Sequence, residues 1–117
     1  MKFFDSELKV LEVLWDGGDQ PAKEIAKRLK ADIGWNKNTT YTVINKCIAK
    51  NAIERVDPGF ICTPLVSRRE IQLYETNELI QKMYHGSAQQ FFSALLSDEL
   101  LSDDEILQLK ELINNHE

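Results

Sequence analysis

Apolar residues recur at helical spacing in several stretches of the chain, and once, near the middle, the period changes. From Asp5 to Trp15 the positions Leu8, Val10, Leu11, Val13, Leu14 and Trp15 include one continuous stripe. This predicts an amphipathic helix with Asp5 as its N-cap. Asp16-Gly17-Gly18-Asp19-Gln20 breaks it, because glycine is a poor helix former and permits positive φ. Pro21 suits the first position of a second helix, which runs to about Leu29 or Lys30. Ala22, Ile25, Ala26 and Leu29 form its inner stripe, and Lys23, Lys27, Arg28 and Lys30 lie largely outside. A connector of roughly eight residues, containing Gly34 and Trp35, leads to the third helix, residues 36–50.

That third stretch, NKNTTYTVINKCIAK, has two unlike faces. Thr40, Val43, Ile44, Cys47 and Ile48 can be buried together, with Asn36 as the candidate N-cap. Thr39, Tyr41, Thr42, Asn45, Lys46, Ala49 and Lys50 line the other side. Hydroxyls and amides can read base edges and lysines can neutralise phosphates, so this face suits a nucleic-acid groove. Taken alone, a helix face that is simply solvated is the commoner explanation. The neighbours add weight to the first reading. Three short helices, the third polar on one side, predict a helix-turn-helix unit. Ile53-Glu54-Arg55-Val56 and Phe60-Ile61-Cys62-Thr63 then read as two strands around Asp57-Pro58-Gly59, ending at Pro64. A hairpin directly after the third helix is the wing of a winged helix, with Arg55 as its one cation.

Beyond residue 66 the helical period returns. Ser67-Arg68-Arg69-Glu70 is a capping box opening a long helix whose apolar side holds Ile71, Tyr74, Leu79, Met83 and Tyr84. His85-Gly86-Ser87 interrupts it, and the pattern resumes through Phe91, Phe92, Leu95 and Leu96. Ser102-Asp103-Asp104-Glu105 is a second capping box, opening a last helix with Ile106, Leu109, Leu112 and Ile113 on one face. The expected class is therefore mainly α with a small β-hairpin: a winged helix-turn-helix domain, 1–66, followed by a helical dimerisation region, 67–117. The tail is too short to fold alone. It either packs back on the first domain or pairs with a second copy, and its apolar surface favours the homodimer. Tyr74, Met83, Tyr84, Phe91, Phe92, Leu95, Ile106 and Leu109 are the candidate dimer contacts.

Charge sharpens this division. The net charge is −5, yet residues 1–64 carry ten Lys/Arg against nine Asp/Glu, and residues 65–117 carry four against ten. The acidic half is a poor partner for phosphate, so any basic patch must be local to the first half. Cys47 and Cys62 stand apart with no CxxC and no nearby His, as small buried thiols of a cytoplasmic protein do, and no metal or other cofactor is expected. No run approaches the ~20 apolar residues that span a membrane, and the opening MKFFDSELKV has acids where a secretory signal is apolar, so no membrane partner is expected. No catalytic constellation is present. His85 and His116 lie without a serine or cysteine motif, Asp103, Asp104 and Glu105 suit the positive end of a helix, and Gly17-Gly18 is followed by Asp19, which repels phosphate.

The sequence resembles the penicillinase-repressor family of bacterial winged-helix regulators, the BlaI/MecI type. The matching pieces, in family order, are Leu14-Trp15, Pro21-Ala22-Lys23-Glu24-Ile25, Trp35 with the run from Asn36 to Lys46, Thr63 to Ser67, Met83 to Ser87 and Leu101 to Ile106. They cover nearly the whole chain. The resemblance implies a homodimeric transcriptional repressor on a palindromic double-stranded DNA operator, with dimerisation through the C-terminal helices. The expected mechanism puts Lys37, Lys50 and, from the hairpin, Arg55 on phosphates, and Asn38, Thr39, Tyr41, Thr42 and Lys46 near bases.

Thr39 and Thr42 match threonines of the family's recognition helix. Lys46 stands where the family has Arg, Tyr41 where it often has Gln, Asn38 for Lys and Lys37 for Pro. Lysine lacks the bidentate fork that grips guanine, so the operator is expected to depart from the family's TACA/TGTA half-sites. In the β-lactam-resistance members a regulatory protease cuts an Asn-Phe bond, and Ala94-Leu95 stands at that place here, which counts against β-lactam-triggered cleavage. Copper-responsive relatives end in a CxCx4CxC cluster, whereas this sequence reads Ile113-Asn114-Asn115-His116-Glu117. The rival reading is a dimeric winged-helix adaptor that binds protein and not DNA. It predicts that the tail covers Thr42 and Lys46.

Overall fold

A computed structural model describes residues 2–116. Met1 and Glu117, the outermost residues of the two terminal stretches read above, lie outside it. The elements in chain order are α1 (Asp5–Gly17), β1 (Gln20–Pro21), α2 (Ala22–Ile33), α3 (Lys37–Ala49), β2 (Ile53–Val56), β3 (Ile61–Pro64), α4 (Arg68–Tyr84), α5 (Ala88–Ser97) and α6 (Asp103–Asn114). They divide into two compact units, Met1–Glu75 and Thr76–Glu117.

The first unit is a three-helix cluster edged by a small sheet. Its core is made from the inner stripes of the helices: Val10, Leu11 and Leu14 from α1, Ala22, Ile25 and Leu29 from α2, Val43, Ile44 and Cys47 from α3. Ala52, Ile53 and Cys62 close the sheet side and Ile71 of α4 adds to it. The strands are antiparallel in the order β1-β3-β2. In the hairpin, Ile53 lies opposite Pro64 and Val56 opposite Ile61. The expected mainly α architecture with a wing is borne out.

Several boundaries differ from the sequence expectation, each for a local reason. Phe4, not Asp5, caps α1: its backbone N–H donates to Glu7 Oε1 at 2.7 Å, and Asp5 lies within the first turn. The strand β1 is silent in the sequence, because two residues, one of them proline, carry no alternation. Pro21, expected as the first helical residue of α2, pairs instead across Ile61 and serves as the cap. The second helix continues to Ile33, supported by Arg28 Nε donating to Asp32 Oδ2 at 2.7 Å. Gly34 then ends it in the left-handed region (φ 75°), where glycine alone is unpenalised. The expected eight-residue connector shrinks to Gly34–Asn36. The strand β3 begins at Ile61, because Phe60 has φ 49° and belongs to the turn, and it includes Pro64.

The capping assignments in the second half stand. Ser67 and Glu70 exchange hydrogen bonds at 3.0 and 3.2 Å, as Ser102 and Glu105 do at 3.1 and 3.0 Å. Accepting those bonds holds the Glu105 carboxyl below its usual pKa. The α4 break falls at His85-Gly86, and Ser87 caps α5 by accepting from Gln90 N–H. Ile71, Arg68 and Val66 all pack or bond within the first unit. Trp15 Nε1 donates to the Val66 carbonyl, and Arg68 pairs with Glu12 and Asp16 at 2.7 and 2.8 Å. The first unit therefore extends into the opening turns of α4, past residue 66.

Both thiols are buried and free. Burial pushes Cys47 up to about 12 and Cys62 up to about 11. Among the described residues no helix is long and apolar enough to cross a membrane, and no group of His, Cys, Asp and Glu could hold a metal ion.

One buried group is out of keeping with its surroundings. Thr40 is fully buried, and its hydroxyl meets no partner among the described residues. Thr40→Val keeps the shape and removes the unsatisfied hydroxyl, so it is expected to raise stability by about 1 kcal/mol. Ile44→Ala, at a site with no exposed surface, is expected to lower it by about 2–5 kcal/mol. Urea unfolding of the two variants checks both signs.

Candidate nucleic-acid interface

The third helix begins where its sequence says it must. Asn36 Oδ1 accepts from the Thr39 N–H at 2.8 Å, which satisfies one of the orphan amides of the first turn. Thr40, Val43, Ile44 and Cys47 face the core. That burial fixes the rotation of the helix, and it leaves Thr39, Thr42 and Lys46 exposed at spacings of three and four. Lys37, Asn38, Asn45 and Ala49 are exposed as well. Within the first unit nothing covers Thr42 or Lys46.

Tyr41 is half-buried and has a packing duty. Its ring meets the edge of Phe60 at 5.7 Å, and Lys37 Nζ lies 5.5 Å from its centroid. The Arg55 guanidinium lies 3.7 Å from the Phe60 ring centroid. Lys37, Tyr41, Phe60 and Arg55 thus form a ladder of cations and rings joining the start of α3 to the hairpin. Arg55 is also tied to Asp57, with Nε 3.1 Å from Oδ2. Its charge is therefore partly spent within the turn, in a hairpin that also carries Glu54.

Lys50 departs from its expected place on the phosphate side. Its ammonium donates to Glu7 Oε1 at 2.7 Å and to the Lys2 carbonyl at 3.2 Å. The rings of Phe3 and Phe4 lie 5.4 and 4.8 Å away. Glu7 retains 1% of its surface, and its second oxygen finds no partner among the described residues. A carboxylate so removed from water requires a cation, and this one takes Lys50. Spacing on α3 alone could not show this, because the acid that captures Lys50 lies 43 residues earlier.

A second basic group emerges only in the folded chain. Lys23, Lys27, Lys30 and Lys37 line one cleft with Ala26 and Asn36. The outward spacing of the first three on α2 is legible in the sequence; their convergence with the start of α3 is not.

In the second unit no residue of α5 or α6 is buried. Tyr84 packs on Phe91 at 5.4 Å and Phe91 on Phe92 at 6.3 Å. Leu95, Ile106 and Leu109 are half-buried. Met83 (60%), Phe92 (44%) and Leu96 (51%) remain exposed, as do Leu107, Leu112 and Ile113. Phe92, Leu96, Ile106, Leu109 and Ile113 open an apolar cleft of about 130 Å³ between the two helices. Tyr74, the remaining expected dimer contact, is half-buried in the first unit.

Three helices with an exposed polar face on the third and a hairpin after it define the winged-helix class. The fold is shared with a solved structure, the solution structure of the DNA-binding domain of the repressor BlaI. That match has a TM-score of 0.54 and 28% identity, and covers 57% of this chain and 84% of that one. The penicillinase repressor family model matches residues 4–115, and the chain belongs to this family of transcription regulators, which are not enzymes. The penicillinase repressor of Bacillus licheniformis is 25% identical over 96% of this chain and 89% of its own length. The methicillin resistance regulatory protein MecI of Staphylococcus aureus (strain N315) is 25% identical over 93% and 90%.

The Glu7–Lys50 pair gives a test of its own. Lys50→Ala leaves a buried carboxylate without a cation and is expected to cost about 3–5 kcal/mol. Glu7→Gln is expected to cost less, because the Lys50 side chain keeps 27% of its surface and can turn to water. Unfolding of the two variants in urea measures the difference.

Proposed function

We propose that the chain is a transcriptional repressor that binds a palindromic operator as a homodimer, with one α3 in each of two successive major grooves. The observation that carries this reading is the open line Thr39–Thr42–Lys46 on a helix whose opposite face is locked into the core. Membership of a repressor family supports it. Asn38, Thr39, Thr42 and Lys46 approach base edges. Tyr41 braces the helix against the hairpin and reaches the groove only with its outer edge. Lys37 and, more weakly, Arg55 hold phosphate. Lys50 is removed from the phosphate set, since its charge is held by Glu7.

The homodimer is supported by the open apolar surface of α5 and α6, whose helices are capped locally and offer Phe92, Leu96 and Ile113 to a partner. Two reading heads so joined would sit about 34 Å apart, one turn of B-DNA. The protein would act in the cytoplasm, occupying a promoter against polymerase. A regulatory protease acting at Ala94-Leu95 would meet that bond inside α5 and would need the helix to open first. The adaptor reading draws on the net charge of −5 and on the internal pairing of Lys50 and Arg55.

Duplex fragments selected from the source genome by the full-length chain separate these readings. A recurrent palindrome supports the repressor; no enrichment of any duplex supports the adaptor. On the selected operator, Thr42→Ala is expected to cost about 1–3 kcal/mol and to relax sequence choice at one position per half-site. Unchanged affinity and unchanged choice would refute the role of Thr42. Cleavage engineered at Ala94-Leu95 is expected to yield a monomer by sedimentation and to abolish tight operator binding; a cut protein that stays dimeric would refute the tail's role.

A further inference from the structure

We propose that the cleft between α2 and the start of α3 is the principal phosphate clamp, gripping the sugar-phosphate strand that flanks the groove read by α3. This rests on the DNA-binding reading above and names the surface that supplies most of its sequence-independent affinity.

Lys23, Lys27 and Lys30 recur at spacings of four and three, so α2 presents them from one side. Lys37 opens α3, and the four lysines line a single cleft of about 340 Å³ with Ala26 and Asn36. Ala26 is small and 6% exposed, which lets the start of α3 come close to the α2 backbone. Among the described residues only Lys27 of these four has an acidic partner, Glu24 at 3.4 Å, with both side chains largely in water. Such a pair is weak and easily exchanged. Four like charges around one cleft repel each other unless a polyanion lies among them. The first-turn amides of α3 add partial positive charge at the same place.

The hairpin and the far end of α3 have little to offer. The hairpin sets Glu54 and Asp57 against Arg55, and Arg55 is tied to Asp57. Lys50, at the far end of α3, is tied to Glu7. The free cations next to the reading face are therefore on the α2 side. A lysine set on a phosphate acts as a point charge and reads no sequence, so this clamp holds any duplex alike and sets the salt dependence.

The test is a titration of the full-length chain on its selected operator and on a scrambled duplex, over a series of salt concentrations. The logarithm of affinity falls with the logarithm of salt by about 0.9 for each phosphate neutralised. The variant Lys23→Gln/Lys27→Gln/Lys30→Gln is expected to flatten that slope by about 0.9 for each phosphate it no longer neutralises, and to weaken both duplexes by at least about tenfold. Lys23→Arg/Lys27→Arg/Lys30→Arg is expected to keep the slope, and Arg55→Gln to change it little. An unaltered slope in the glutamine variant, or a larger loss from Arg55→Gln, overturns the clamp while leaving operator binding intact. If inorganic tripolyphosphate binds and the glutamine variant loses that binding while its DNA slope is unchanged, the cleft takes small polyphosphates and the DNA assignment is overturned. If the unsubstituted chain binds neither duplex, the DNA-binding reading falls, and the clamp with it.

Discussion

A carboxylate taken out of water needs a positive charge, and the pairing of Glu7 with Lys50 ties the start of α1 to the end of α3. Glu7 Oε1 accepts from the Phe4 backbone and from the Lys50 ammonium at once, both at 2.7 Å. The first contact starts α1. The second anchors the end of the third helix, because Lys50 is the C-cap of α3. The Lys2 carbonyl and the rings of Phe3 and Phe4 complete the enclosure. Just past it the chain turns through Asn51 (φ 59°) into β2, so the course of the hairpin starts from the same anchor. Such pairs contribute little net stability compared with an apolar contact of equal volume, but they penalise wrong arrangements heavily.

With one end of α3 held by an ion pair, the other end is held by rings. Tyr41 and Phe60 bridge the helix to the hairpin, and Asn36 closes the first turn. Between them the inner stripe sets the rotation. The outer face is left with a simple task and simple side chains: hydroxyls, amides and one lysine. The charge distribution follows from these commitments. Cations that brace the fold, Lys50 and Arg55, are matched by acids. Four other lysines, Lys23, Lys27, Lys30 and Lys37, line the cleft where α2 meets α3. The second half is acidic, and its helices leave apolar side chains exposed.

Local chemistry is legible in the sequence and long-range capture is not. The caps at Asn36, Ser67 and Ser102 are readable because donor and acceptor lie three residues apart. The inner stripe of α3 is readable because burial obeys the helical period. The hairpin is readable from Pro-Gly between two short apolar runs. The fate of Lys50 is not, since an exposed-looking lysine on a polar face gives no sign of a distant buried glutamate. Tyr41 misleads for a related reason, its partner Phe60 being set by the turn of the hairpin. The strand Gln20–Pro21 exists only because β3 is there to receive it. The four-lysine cleft needs the true length of α2, which the glycine at 34 rather than the polar run at 30 decides.

The two cysteines have a use that follows from where they sit. Cys47 is on the inner face of α3 and Cys62 on the central strand, both without exposed surface. With thiol pKa values near 12 and 11 they stay protonated and unreactive at neutral pH while the domain is closed. Once the helix or the strand lifts from the core, the thiolate fraction and the access of a reagent rise together. The rate at which an alkylating or disulfide reagent labels each position is thus a native clock. Cys47 times the detachment of the third helix, Cys62 that of the sheet, and no introduced probe is needed to tell whether the two open as one.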